Sequence, residues 1–452
     1  MKVTINFVFV SLFLSSFVTG LPVQRRKAVP EAGRVVKMND RPGQRNGGQG
    51  NNGGQGNNGN ENNNGAAAGA LYFITNEDDG NFVVSADIAE DGKVSLRQAI
   101  SAGGFGIRGD DGNKNNPAPL FSQGAVSVSA TSKLLATVNA GSNTLALFSI
   151  DENDPAVLTK VGSLVGSGGE FPISVAFNSK GDTLCALNGG EVNSVSCFKA
   201  NAEDGLTPLA GGNRILGLKQ TTPATGAPGS ASHILFSEDD KQLIASVKGI
   251  PDPNNGRGVV GALAVYDVGN NGALSEEPKV FAPPENGLAP FGMALVPNKK
   301  AVVVADPANG FDVIDIETGD NANSKSVAVD VDDQKATGWA AFSKKTGNFY
   351  LTDAVTGRVT EVKVEDDLKG SVVSQTDLGN NSGPIDNVVA TIKDKDFLFV
   401  LSSQANAIDV LSLDGAGKVT KVDKTDIADP AKQANLKLNS INIQGMAAFV
   451  KP

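Results

Sequence analysis

Histidine occurs once, at His233, tryptophan once, at Trp339, and cysteine only twice in 452 residues. With no His or further Cys at ligand spacing, metal ligation by the thiols is excluded. Beyond residue 20 no apolar run is long enough to cross a bilayer, so no transmembrane segment is expected. Basic side chains are outnumbered, 39 against 49 acidic, for a formal net charge of -10. Nucleic acid and anionic membrane surfaces both require clustered Lys and Arg, and neither is expected as a partner. The sequence has no Gly-rich phosphate loop ending in Lys and Ser/Thr, and no Ser in a G-x-S-x-G elbow. Asp110-Asp111, Asp332-Asp333 and the Asp151–Asp154 run lack the alternating oxygen spacing and glycine of a calcium loop and read as solvated turns. No cofactor and no metal site are expected.

What is present is a repeated phrase. In Phe171–Phe198 (FPISVAFNSKGDTLCALNGGEVNSVSCF) apolar residues alternate through Ile173, Val175 and Phe177. A polar tip follows at Asn178–Asp182, the apolar rhythm resumes at Leu184 and Leu187, and Gly189-Gly190 turns the chain into Val195–Phe198. This pattern predicts three antiparallel strands joined by tight turns. The phrase returns every 47 to 59 residues, with its first strand closing at Val128, Phe177, Phe236, Leu295, Phe342 and Ala390. A seventh copy is split. Gln444–Val450 (QGMAAFV) reads as a first strand with nothing after it, and Leu71–Asn76 (LYFITN) as a second strand with nothing before it. A strand triplet cannot bury both faces alone, so such units stack, and pairing the last strand with the first closes the stack into a ring without edges. The expected fold is all-β, a seven-bladed β-propeller over residues 70–452, with segments such as Gly205–Leu218 supplying the outer strands.

Outside the ring, Met1–Gly20 carries Lys2, an apolar run and small residues before Leu21, the pattern of a secretory signal peptide. Residues 21–69 form a leader with a dibasic pair at Arg25-Arg26, where processing after Arg26 is one reading. Its Gly/Asn/Gln tract has almost nothing to bury, so the leader is expected to be disordered. The mature protein is expected to be secreted, extracellular or in the cell wall, and monomeric. Cys185 and Cys197 are equidistant from Glu191 on adjacent strands of one blade, which in a secreted protein favours a disulfide. Asn380-Asn381-Ser382 is a glycosylation sequon in a polar connection.

The phrases LLATVNAGSNTLALFSID, SHILFSEDDKQLIAS and APFGMALVP resemble the lactonase-type seven-bladed propellers, in particular secreted fungal 3-carboxymuconate cyclase-like proteins. The resemblance spans about Ala70 to Pro452. It implies a catalytic His at the start of an inner strand, with Arg and Glu nearby, at one end of the channel. The family's spacing puts that His at Ser232, one residue before His233. A shift of one residue turns a strand side chain to the other face unless a bulge near Gly229–Ala231 restores it.

Strand order puts the connections into each first strand on the same face as the turns between second and third strands. Arg108, Arg257 and Arg358 fall there, with Glu170, Ser232, His233, Trp339, Gln444 and the end of the Gly103–Gln123 connection at strand starts. Guanidinium groups on that face could hold a carboxylate, and His233 or Glu170 could act as general base or acid. Three functions follow. The first is an extracellular protein that binds a glycan or a protein without catalysis. The second is a lactonase or cycloisomerase acting on a small carboxylated lactone or diene, with Arg108, Arg257, His233 and Glu170 as the catalytic set. The third is a structural wall or matrix component.

Overall fold

The computed structural model describes residues 31–38, 67–113, 117–254, 258–318 and 324–452. The signal segment, Arg25-Arg26, most of the Gly/Asn tract and Arg257 lie outside the described residues. Seven sheets follow one another around the ring, six of four strands and one of five. In the unit read first from the sequence, strands Pro172–Phe177, Thr183–Asn188 and Ser194–Asn201 form a meander, and Gly205–Ile215 is its outer strand. The split unit closes the ring. Gln444–Val450 is the innermost strand of a sheet whose next members are Gly69–Ile74, Phe82–Ile88 and Val94–Ser101, with Gly69 opposite Val450 and Tyr72 opposite Ala447.

Position in the blade explains the composition of each strand. Second strands are covered by neighbouring blades on both faces, so Ala301–Asp306 (AVVVAD) and Leu134–Asn139 (LLATVN) are buried at every residue and read as continuous apolar runs. Outer strands such as Gly370–Asp377 meet solvent and are mostly exposed and polar. Cys185 sits directly opposite Cys197, 4.0 Å between Cα atoms, and the two form a disulfide.

One expectation is corrected. The leader was expected to be disordered throughout, but Val35–Lys37 adds a fifth, outermost strand beside Val94–Ser101, and Met38 is buried. The edge of that sheet offers unpaired backbone groups and an apolar seat, which Val36 and Met38 fill.

Inner strands share an irregularity. The register slips by one residue in five of them, at Ile173, Ser232, Gly338, Asp386 and the Gly445-Met446 pair, where one residue of the second strand faces two. These bulges re-aim the following side chains toward the hub.

Candidate functional site

The hub is not an open tube. The connection Pro117–Gly124 crosses its loop-side end and is bonded to inner strands of several blades. Trp339 Nε1 and Gln444 Nε2 both donate to the Ser122 carbonyl, each at 3.0 Å. The Gln123 amide makes a two-way pair with the backbone of Ala340, donating to its oxygen at 2.9 Å and accepting its N–H at 3.1 Å. Ser122 Oγ donates to Ile173 O, and the buried ammonium of Lys248 donates to Phe121 O at 2.7 Å. Ala118 and Phe121 take positive φ, 67° and 53°, and these bonds hold the segment in that sparsely populated backbone region.

Below this plug, six of the seven inner strands line a channel cavity of about 430 Å³, which includes His233, Asn387 and Met446. Asp386 stands at the plug's edge and is buried. It accepts N–H bonds from Gln444 Nε2 (2.6 Å) and Gly445 (2.8 Å). Burial pushes its pKa up to about 7, against the opposing pull of those hydrogen bonds. Because the folded-state value lies above the unfolded one, the carboxyl favours the fold below about pH 4, and that contribution is lost as pH rises toward 7. Asp386→Asn is expected to remove this component: relative to wild type, the loss of denaturation free energy from pH 4 to 8 should shrink by up to ~4 kcal/mol. Parallel urea titrations of both proteins test it, and identical pH profiles would refute the linkage.

The bulge at Ser232 does bring His233 to the channel, so the one-residue displacement is offset. Ser232 itself is buried and donates to Pro290 O. The Met293 N–H points at His233 Nδ1, 3.1 Å away, so that nitrogen bears the lone pair and Nε2 carries the proton. Burial pushes the ring's pKa down to about 3. A neutral imidazole with its one lone pair already engaged has none to offer as a base.

The other expected residues do not gather around it. Arg108 is half-buried and donates to Ile441 O, tying the plug's connection to the segment before the closing strand. Glu170 accepts a bond from Thr222 Oγ1 on a different part of the rim. Arg358 is not in a turn: it opens the strand Arg358–Val364, with Asp333 at 3.6 Å and Gln375 of the outer strand as its neighbours. None of the three lines the channel cavity. Gln123, Trp339 and Gln444 do come together, as the anchors of the plug. Asn380 is exposed, and Ser382 of its sequon is buried. Glu77, Asp78 and Asp79 cluster, but the Lys437 ammonium lies among them at 2.8, 3.1 and 3.3 Å.

A second cavity, of about 440 Å³, opens on the loop face beside the plug. Its walls are Phe121, Phe291 and Trp339, a run of prolines and alanines, and Leu288. Phe291 and Trp339 pack with ring centroids 5.0 Å apart. Lys248 is the one charged side chain among its described lining residues. The sequence reading missed Lys248, although a signal existed. Four of the other second strands end in Asn139, Asn188, Asp306 or Asp353, whose side chains bond to nearby backbone or turn groups, whereas this blade's second strand runs out through Val247-Lys248-Gly249.

Residues 62–214 match the family described as Lactonase, 7-bladed beta-propeller. No curated protein matches the sequence. Among solved structures, the periplasmic gluconolactonase of Pseudomonas aeruginosa superposes with a TM-score of 0.58 at 14% identity, covering 84% of this chain and 100% of its own. A candidate 6-phosphogluconolactonase from Bacteroides fragilis gives 0.56 at 14% identity, with 84% and 98% covered. A protein from Lactobacillus plantarum gives 0.55 at 15% identity, with 85% and 99% covered. At such identities the likeness speaks for the fold. The chain is a seven-bladed β-propeller that resembles the lactonase-type propellers, by sequence within residues 62–214 and by fold around the whole ring.

Proposed function

We propose that this chain is an extracellular, lactonase-like propeller that binds a small ligand with an apolar body in the loop-face pocket and does not open lactones in its hub. The observation that carries this reading is the plug. Pro117–Gly124 occupies the end of the hub where the resemblance would put the chemistry; there the side chains of Trp339, Gln444 and Lys248 donate to its carbonyls, and Gln123 clasps the backbone of Ala340. The pocket beside it supplies what a small-molecule site needs, a concave apolar surface with aromatic walls and few polar groups. The disulfide suits an oxidising compartment.

The lactonase reading draws its support from the family match and from the lactonase names of the structural neighbours. Turnover decides between the two. Sugar lactones and muconolactones incubated with purified protein are expected to hydrolyse at the background rate, and His233→Ala is expected to behave identically. A rate above background that His233→Ala abolishes would establish the enzyme and overturn the binding proposal. Binding itself is readable through Trp339, the sole tryptophan, which lies in the pocket wall. Its emission is expected to respond to small aromatic compounds.

A further inference from the structure

Lys248 is 3% exposed, and no carboxylate accompanies it among the described lining residues of the pocket. Its Nζ donates to Phe121 O at 2.7 Å and to Ala231 O at 2.9 Å, and it lies 4.5 Å from the centre of the Phe291 ring. These are neutral partners. Two carbonyl dipoles and a ring face stabilise an ammonium group in part, but a buried cation is ordinarily matched by an anion. Burial accordingly holds its pKa well below the usual lysine value.

A second group in the same wall points to the same deficiency. Thr337 is 1% exposed, lines the pocket, and its Oγ1 has no hydrogen-bond partner among the described residues. Buried hydroxyls are normally satisfied, and one left open in a cavity wall marks where a ligand atom can bond. The cavity wall thus carries the Lys248 amine as a donor and an unpaired buried hydroxyl among Pro, Ala, Gly, Leu, Val and aromatic residues. At the lip, Val355 is 60% exposed and Ile250, beside the lining residues Gly249 and Pro251, 49%, so the entrance is apolar too.

We infer that the loop-face pocket is a binding site for small monocarboxylic acids with an apolar body, in which Lys248 Nζ is the counter-ion and Thr337 Oγ1 a further hydrogen-bond partner. This rests on the pocket being the functional site, and it adds the class of ligand. The apolar body fills the space between Phe121, Phe291 and Trp339, and the carboxylate supplies the anion that the protein itself does not place beside Lys248. A charge-assisted hydrogen bond in so dry a setting is stronger than one to a neutral group, so acid and alcohol of the same shape should be told apart.

The test is a titration of the full folded chain with phenylacetate and with phenylethanol, followed by Trp339 emission and by calorimetry. Phenylacetate is expected to bind roughly tenfold tighter, the scale set by one charged hydrogen bond. Lys248→Met should erase that preference while keeping affinity for the alcohol, and Thr337→Val should narrow it. Equal binding of the two probes to wild type, or a preference that survives in Lys248→Met, overturns the assignment of the acid and leaves the pocket standing. Binding of neither probe overturns the pocket as well. Should Lys248→Met lose its cooperative melt through the bonds to Phe121 and Ala231, Thr337→Val decides, and an unchanged preference there counts against the inference.

Discussion

Gly69→Ala is expected to cost several kcal/mol of stability, although it adds one methyl group to a residue outside either cavity. Gly69 lies at the seam, paired with Val450 on one side and Ile88 on the other. A Cβ there would stand 2.3 Å from Phe449 O and 3.0 Å from Val450 Cα, and both of those atoms are backbone. No rotamer change relieves such a contact, so the closing strand must move or detach, at a cost of about 3 kcal/mol or more. Truncation after Ile443 is the stronger form. It removes the whole inner strand Gln444–Val450, exposes the edge of Gly69–Ile74, and deprives the plug of Gln444. Loss of a cooperative unfolding transition is expected for the truncated chain, with a lowered urea midpoint for Gly69→Ala. Wild-type midpoints in both would mean that the ring does not depend on its seam.

The ring was legible in the sequence because burial on both faces forces its second strands to be continuous apolar runs, while the exposed tips between first and second strands, such as Asn178–Asp182, are polar. The split copy was legible for the same reason, since Leu71–Ile74 carries the composition of a second strand. Val35–Lys37 escaped notice because three residues of a strand show no period, and its partner lies some sixty positions further on. The hub was harder still. Pro117–Gly124 reads as an ordinary connection, and the partners that make it a plug, Trp339, Ala340 and Gln444, are separated from it by more than two hundred residues. Asp386 was visible as an acid within an apolar inner strand, at the ring position equivalent to Ser232, but only the fold reveals that backbone and amide N–H groups of the closing strand surround it. Arg108 and Glu170 were assigned to a face by strand order, which determines the end of the propeller and not the direction of a side chain.

Gln123→Ala is the second substitution with a large expected effect, because it releases the plug while leaving every blade intact. The Gln123 side chain bonds both the N–H and the carbonyl of Ala340 across the hub, and its Oε1 also fills the space that a Cβ on Gly292 would need, 2.1 Å away. Truncation strands a buried donor and a buried acceptor, each worth about 1–3 kcal/mol, for a total loss of roughly 3 kcal/mol. The consequence should be local as well as global. With Gln123 gone, Ser122 depends on Trp339, Gln444 and its own hydroxyl, so backbone amides of 118–124 should exchange faster than those of the neighbouring inner strands. Trp339 emission should shift to the red as water reaches the indole. The pocket shares Phe121 and Trp339 with the plug, so affinity for phenylacetate should fall together with protection of the segment. Unchanged exchange at 118–124 would show that the bonds from Trp339, Gln444 and Lys248 hold the plug without Gln123. Faster exchange with full ligand affinity would separate the pocket from the plug and place the binding determinants on Lys248 and the blade walls.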